Sequence, residues 1–503
     1  MQGKKPPYLL GIDASTQSAT ACVWTPDGKL VGKGSSPLKV DRPSPGRAEQ
    51  DPSRWWTSIR KAIRGALDGL DAERIAGVGV AYQRETFSMV DGKGEFVRPG
   101  ILWLDVRADE EVRELAKLVG RSSYHRQTGK PLDVTSAAAR LLWLKKHEPA
   151  TLKRTARLVD VGGELAYRLT GRYATCSGGT DTCGLVSLSR RRWIERYLAL
   201  AELTPAQCPD LVEPGEVVGG ISAAAAGVTG LAAGTPVVAG GGDGNVFPLG
   251  MGVTGPHRLS LTLGTSIVLG FTSPEPVIDP MFRTLIAPDG YLLECVLQSG
   301  TYLLRWFVER FGAPGLATEG DWDREAAGIP AGCEGLVTLP NWWGVRFPEN
   351  LPDARGATLG WSDHHTPVHF YRSLLEGLAM ETRRCVDRLG SVLPVKRGGG
   401  ISVGSGGARS DEWMRILAGV LNRTVARSTE SEATAMGAAM LAGVSVGCFR
   451  SLGSAAKRMA AGTERTKPTK RTAGFYSELY TDVYRPLFEK TAAISAKLRS
   501  ISF

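Results

Sequence analysis

Thr235-Pro-Val-Val-Ala-Gly-Gly-Gly-Asp-Gly-Asn245 is a short apolar run that breaks into three consecutive glycines, then an acid, another glycine and an amide. Pro236 to Ala239 has the composition of a buried strand, and the glycines make its end a bare turn. Glycine at a strand end permits positive φ and lets a ligand come against the backbone, which leaves Asp243 at the mouth of a cleft. A carboxylate in that position has two readings. It can serve as a general base, or it can cap the segment that follows, because Asp is favoured at caps and turns.

Outward from this stretch, similar turns recur. Residues 8–13 read as a buried strand stopped by Asp13-Ala-Ser-Thr-Gln-Ser18, and residues 19–24, a Pro26-Asp27-Gly28 turn and residues 30–33 complete a β-meander. The first turn is rich in hydroxyls and backbone amides, groups that hold phosphate oxygens; a hairpin that caps its own backbone is the alternative. Beyond Asp243 the pattern repeats, with residues 257–270 reading as strand, Gly264-Thr265-Ser266 turn, strand. Two such hairpins opening two halves of similar size predict a duplicated domain. Polar residues also stand where other strands stop, as Gln83-Arg84-Glu85-Thr86 and Trp103-Leu-Asp-Val-Arg107. Open α/β sheets place their sites at such strand ends. Residues 400–411 predict strand, glycine turn and helix start, where Gly406 and Gly407 can admit a nucleotide or serve tight packing. Residues 432–442 predict a helix with a small-residue face, and Tyr476, Tyr480, Tyr484 and Phe488 predict a docked terminal helix.

Composition sets the outer bounds. A chain of 503 residues exceeds one core and predicts two domains. The net charge of +10 suits an anionic ligand. Its basic residues are scattered, with small clusters at 190–192 and between 457 and 471 that lack interleaved aromatics, which argues against nucleic acid. Eight cysteines without a C-x-x-C pair fit reduced thiols in a cytoplasmic protein. No signal-peptide core and no apolar run of about 18 residues are present, so no membrane partner is expected.

Hydroxyl- or glycine-rich turns around one acid fit phosphoryl transfer, although the Walker and protein-kinase motifs are both absent. The segments Gly11-Ile-Asp-Ala-Ser-Thr-Gln-Ser18, Gln83-Arg-Glu-Thr86, Trp103-Leu-Asp-Val-Arg107, Gly240-Gly-Gly-Asp243, Gly264-Thr-Ser266, Gly404-Ser-Gly-Gly-Ala408 with Trp413, and Glu432-Ala-Thr-Ala-Met-Gly-Ala438 follow one another in an order that resembles the FGGY family of carbohydrate kinases. That family lies within the actin-like, RNase-H-like ATPase superfamily. The resemblance implies an α/β chain of two duplicated RNase-H-like (actin-like ATPase) domains with a cleft between them. Residues 1–250 would carry the sugar site and catalytic base, and residues 251–503 the nucleotide site and a C-terminal helix. It further implies ATP and Mg²⁺ as cofactors, Asp243 as the base, and Asp13 beside the metal and its waters. Ser15, Thr16, Gln17 and Thr265, in the Gly264 turn, would hold phosphates. Gly406, Gly407 and Asp411 would line the adenosine site, and Arg84, Glu85 and Trp103 would contact the sugar or polyol.

Within that resemblance the substrate motif is mixed. Arg84-Glu85 stands where xylulose kinases usually place Met-His and is similar to glycerol kinases, yet the aromatic of glycerol kinases is missing near Asp133-Val-Thr-Ser136. Gly244 intervenes between Asp243 and Asn245, a spacing similar to kinases of autoinducer-2, and the basic position of the first turn is Thr20. The expected reaction is ATP-dependent phosphorylation of a small linear sugar or polyol, a pentulose first, with erythritol, glycerol and autoinducer-2 as alternatives. A homodimer is compatible with this reading. An actin-like ATPase switch without sugar kinase activity is the competing class, but it has no use for a hydroxyl base facing sugar contacts.

Overall fold

A computed structural model of the chain describes residues 7–501, apart from 348, 350, 352, 397 and 461. Runs of small and β-branched residues build a first sheet of six strands. β1 (Tyr8–Ala14), β2 (Ser18–Trp24) and β3 (Leu30–Pro37) form an antiparallel meander. β4 (Ile75–Tyr82) lies parallel to β1, and β5 (Val217–Gly220) flanks β6 (Pro236–Gly242), which lies parallel to β4. The order across the sheet is β5-β6-β4-β1-β2-β3. Helix α1 (Ser53–Ala66) packs Trp55, Ile59 and Ile63 on the face that carries Leu10 and Ile12.

The short helix α2 (Asp243–Gly250) leads to a second sheet of the same plan. β7 (Leu259–Leu263) and β8 (Ile267–Ser273) form its opening hairpin, and β9 (Arg283–Ala287) and β10 (Gly290–Leu297) extend it on one side. Helix α3 (Pro367–Gly390) intervenes before β11 (Ile401–Gly404), helix α4 (Asp411–Leu421) and β12 (Val425–Ser428), and β11 and β12 run parallel to β7. With β13 (Thr463–Thr466) at the far edge, the order is β9-β10-β8-β7-β11-β12-β13. Across the first sheet three antiparallel strands, and across the second four, are followed by two parallel strands and one antiparallel edge. The duplication expected from the two hairpins is therefore present in the topology.

The core of the second sheet joins Leu261, Leu269 and Val403 to Leu374 and Leu378 of α3 and to Trp413 and Leu417 of α4. The terminal aromatic stripe docks on this layer. Tyr476, Tyr480, Tyr484 and Phe488 are buried, and the hydroxyls of Tyr476 and Tyr484 donate to Glu376 at 2.9 Å and Glu381 at 2.8 Å.

One helix crosses between the halves. α5 (Ala433–Ser445) follows β12 in the chain but lies on the first sheet, where Met436 and Met440 pack with Leu9, Trp24, Ala81 and Val238. Its small-residue face lets backbone meet backbone. A Cβ on Gly11 would lie 1.8 Å from the Ala435 carbonyl oxygen, and one on Gly79 would lie 1.9 Å from that of Ala438. The edge strand β9 makes a return contact: the Thr284 amide donates to the Gly129 carbonyl at 2.7 Å and the Ile286 amide to Asp181 at 2.6 Å. Among the described residues no helix is long and apolar enough to cross a membrane.

Candidate active site

Strand β6 slips register between Ala239 and Gly241, and Gly241 takes a φ of +116° that only glycine adopts without strain. The slip delivers Asp243 as the first residue of α2, with about a third of its side chain open to solvent. Its Oδ1 accepts the Gly244 amide at 2.7 Å and lies 3.2 Å from Arg84 Nε. Asp243 is thus not the cap of its helix, a place taken by Gly242 without a side-chain bond, and it presents a carboxylate to the cleft. Burial pushes its pKa up, against the pull of the Arg84 charge and the Gly244 amide.

Asp13 stands opposite, near the end of β1. Its Oδ1 is buried with no hydrogen-bond partner, and its pKa is pushed up to about 7, first by burial and then by the charge of Asp243. A buried carboxylate oxygen without a partner is suited to a hard divalent cation, which takes oxygen ligands and restores the ionised form. The Asp13 site therefore fits Mg²⁺. On the turn that follows, the Trp103 indole donates to Thr16 Oγ1 at 2.9 Å, with the ring 41% exposed over the cleft. Gln17 is exposed, and its backbone carbonyl accepts the Leu38 amide at 2.8 Å. Ser15 lies close enough to Asp13 to oppose the rise in its pKa.

Glu85 is buried and adopts a φ of 52°, a conformation that costs a non-glycine residue roughly 1–3 kcal/mol and clusters at functional turns. Its Oε1 receives Lys130 Nζ at 2.9 Å and Arg283 Nη1 at 2.7 Å. Burial would raise its pKa, but the charges of Lys130 and Arg283 bring it down to about 2. Arg283 also pairs with Glu294, its cross-strand neighbour, and Glu294 Oε1 lies 3.2 Å from Arg84 Nη1. A chain of buried charges thus runs from Lys130 through Glu85, Arg283 and Glu294 to Arg84 and Asp243, crossing from one half to the other. Asn245 joins it by accepting from Arg84 at 3.2 Å while donating to the Ile286 carbonyl at 2.7 Å.

In the second half the Gly264 turn is braced on the following helix, whose Thr301 amide donates to the Gly264 carbonyl at 2.8 Å, and Thr265 is exposed. A cavity of about 420 Å³ opens beside it, lined by Phe247 of α2, Ser405, Gly406, Arg409, Arg427 and Glu430. Gly406 leaves bare backbone there, since a Cβ would meet nothing within 4 Å. Gly407 instead packs on Trp413, where a Cβ would lie 2.6 Å from the ring, and Asp411 reaches the cavity edge only through Arg427, at 2.7 Å. Ser405, at φ 78° and ψ −178°, is a second strained residue in a site turn.

Residues 8–250 match the N-terminal domain of the FGGY family of carbohydrate kinases, and residues 259–446 match its C-terminal domain. The chain belongs to the FGGY family. The xylulose kinase of Escherichia coli K12 is 29% identical over 457 residues, covering 88% of this chain and 91% of that one. The autoinducer-2 kinase of Salmonella typhimurium is 28% identical over 499 residues, covering 94% and 92%. Among solved structures, a xylulose kinase from Rhodospirillum rubrum superposes with a TM-score of 0.87 at 28% identity, covering 96% of this chain and all of that one. This FGGY protein is therefore a carbohydrate kinase. The sequence singles out Asp243, Arg84, Glu85 and Asp13 as candidates but not Lys130, Arg283 and Glu294, which the structure joins to them. Those three come from a helical region and two strands of the other half, and no local pattern marks them as neighbours.

Proposed function

We propose that this kinase transfers the terminal phosphoryl group of ATP to a hydroxyl of a small linear sugar or polyol, a pentulose such as xylulose in the first place, with Asp243 as general base. The observation that carries the reading is the open Asp243 carboxylate, held by Arg84 and close enough to Asp13, whose Oδ1 has no partner, for its charge to raise that residue's pKa. An ionised carboxylate accepts only, so it orients the attacking hydroxyl and takes its proton as the oxygen becomes nucleophilic. Burial already raises its affinity for that proton. Residues 1–250 supply the sugar pocket, with Arg84, Glu85 and Trp103, and the base; residues 251–503 supply the nucleotide site. Asp13 holds Mg²⁺, which when bound neutralises charge on the transferring phosphates. Ser15, Thr16, Gln17, Gly264 and Thr265 hold phosphate oxygens, and Gly406 lines the adenosine side, with Gly407 and Asp411 supporting it through Trp413 and Arg427. Closure of the two halves excludes water and limits idle hydrolysis of ATP. A cytoplasmic location accompanies this reading.

Autoinducer-2 is the second acceptor to test, because relatives of that name match the chain at similar identity and coverage to those named xylulose kinase. The deciding assay measures ADP formation with Mg²⁺-ATP and a panel of pentuloses, erythritol, glycerol and autoinducer-2 precursor. One acceptor is expected to raise ADP formation well above the ATP-alone rate, and Asp243→Asn is expected to lower that rate about 10²–10⁴-fold with nucleotide binding retained. Comparable turnover in the variant would remove Asp243 as the base. ADP formation indifferent to every acceptor would favour the ATPase switch. Glu85→Gln is expected to raise the acceptor KM, and an unchanged KM removes Glu85 from the pocket.

A further inference from the structure

A second cavity, of about 450 Å³, lies away from the cleft just described, on the same sheet but at the opposite ends of its strands. The nucleotide-side cavity is bordered by Ser405 and Ser428, which follow or end β11 and β12; this one is bordered by Gly400 and Thr424, which precede them. Strand register explains its lining. Ser260 pairs with Ser402, Ser402 with Ala426, and Ala426 with Arg465, so these residues share one face of the sheet. Side chains two apart return to the same face, which adds Arg258 before Ser260 and Lys467 after Arg465. Ile401, Val403 and Val425 point the other way, into the core. The roof of the cavity is formed by residues 252–254, the segment that leaves α2 and carries the chain from the first sheet to β7.

Three cations therefore converge on one cavity, and no acidic side chain lines it. Among the described residues Arg258, Arg465 and Lys467 form no salt bridge, whereas the neighbouring Glu464, on the opposite face of β13, is taken by Arg427. Like charges gathered without counter-charge repel one another and gain from an anion placed between them. Guanidinium groups present forked donors that match the oxygens of a phosphate, and the hydroxyls of Thr254, Ser402 and Thr424 add neutral donors at the wall. The volume exceeds what one phosphate fills and lies in the range of small-molecule pockets.

We propose that this cavity is a binding site for a small phosphorylated anion, separate from the catalytic cleft. Its ligand would touch the segment that joins the two sheets on one side and the far edge of the second sheet on the other. Bound there, it would tie that segment to the second sheet, directly behind the helix that begins with Asp243.

The test uses the full-length protein with its nucleotide site saturated by ADP and inorganic pyrophosphate as the probe, followed by titration calorimetry. Saturable uptake with one site per chain is expected, weakened at least tenfold in the double variant Arg465→Gln, Lys467→Gln, with ADP affinity unchanged. Both positions are exposed at a sheet edge, so the variant should keep the melting temperature of the parent. Arg258→Gln probes the same cavity from the other wall and should weaken uptake on its own. Absence of saturable uptake in the parent protein, or uptake as tight in both variants as in the parent, overturns the proposal.

Discussion

The hairpins that open the two sheets share a plan and divide the chemistry. In the first, Asp13 occupies the next-to-last rung before the turn, paired with Thr20; in the second, that rung holds Thr262, paired with Val268. One hairpin therefore carries a buried carboxylate with an unpartnered oxygen, and the other a neutral hydroxyl. Duplication supplied the same backbone twice, and only one copy kept a charge suited to a metal. Under the proposed function a second charge of that kind would face the nucleotide phosphates and repel them. On the same reading the asymmetry lets one turn gather cation and acceptor while its twin cradles an anion.

The sharpest way to break this comparison is to remove both side chains in turn. Asp13→Ala is expected to lower kcat at saturating Mg²⁺-ATP about 100-fold or more, and Thr262→Ala to change it by no more than about threefold. Equal losses would mean that the two hairpins share the metal work. The next contrast concerns packing under each hairpin. Gly11→Ala drives a Cβ to 1.8 Å from the Ala435 carbonyl, whereas at Gly264 the nearest atom would be 3.5 Å away. The first substitution is expected to cost about 3 kcal/mol in urea unfolding and the second less than about 1 kcal/mol, and similar costs would deny that α5 presses on β1 as described.

The smallest expected effect concerns the seam between the halves. Asp181 accepts the Ile286 amide of the second sheet at 2.6 Å, and burial pushes its pKa from 3.8 up to about 7. A carboxyl whose folded pKa is raised contributes stability below pH 3.8 that is lost as pH rises through 7. Asp181→Asn keeps an oxygen for the Ile286 amide and has no proton to lose. Relative to the parent, the variant should gain on the order of 1–2 kcal/mol between pH 5 and pH 8. A difference that stays flat with pH would place the charge on Asp181 elsewhere in the titration.

What the sequence disclosed follows from the range of its signals. Gly240 to Asn245 was legible because the physics is local: a strand breaks into glycines and leaves an acid and an amide at its end, and both now contact Arg84. The tyrosine stripe was legible for the same reason, as a helical period with one apolar face. The small-residue face of residues 432–442 announced a close approach without naming its partner, since the partner, β1, lies more than 400 residues away along the chain. Glu85 could be read as a polar residue at a strand end. Its engagement by Lys130, 45 residues on, and by Arg283, which reaches it only once β9 has docked against the first half, could not.

The crossing of α5 has a consequence for how the protein is made. Residues 8–242 contain every strand of the first sheet, yet one face of that sheet is covered by a helix that begins at Ala433. During synthesis Leu9, Trp24, Ala81 and Val238 emerge long before Met436 and Met440, the side chains of α5 that pack on them. At about 5–20 residues per second, the roughly 180 residues between α2 and α5 take on the order of ten seconds or more to appear. For that interval the nascent chain carries an apolar surface that only the later helix covers, so the first sheet cannot complete its packing before the second half has been made.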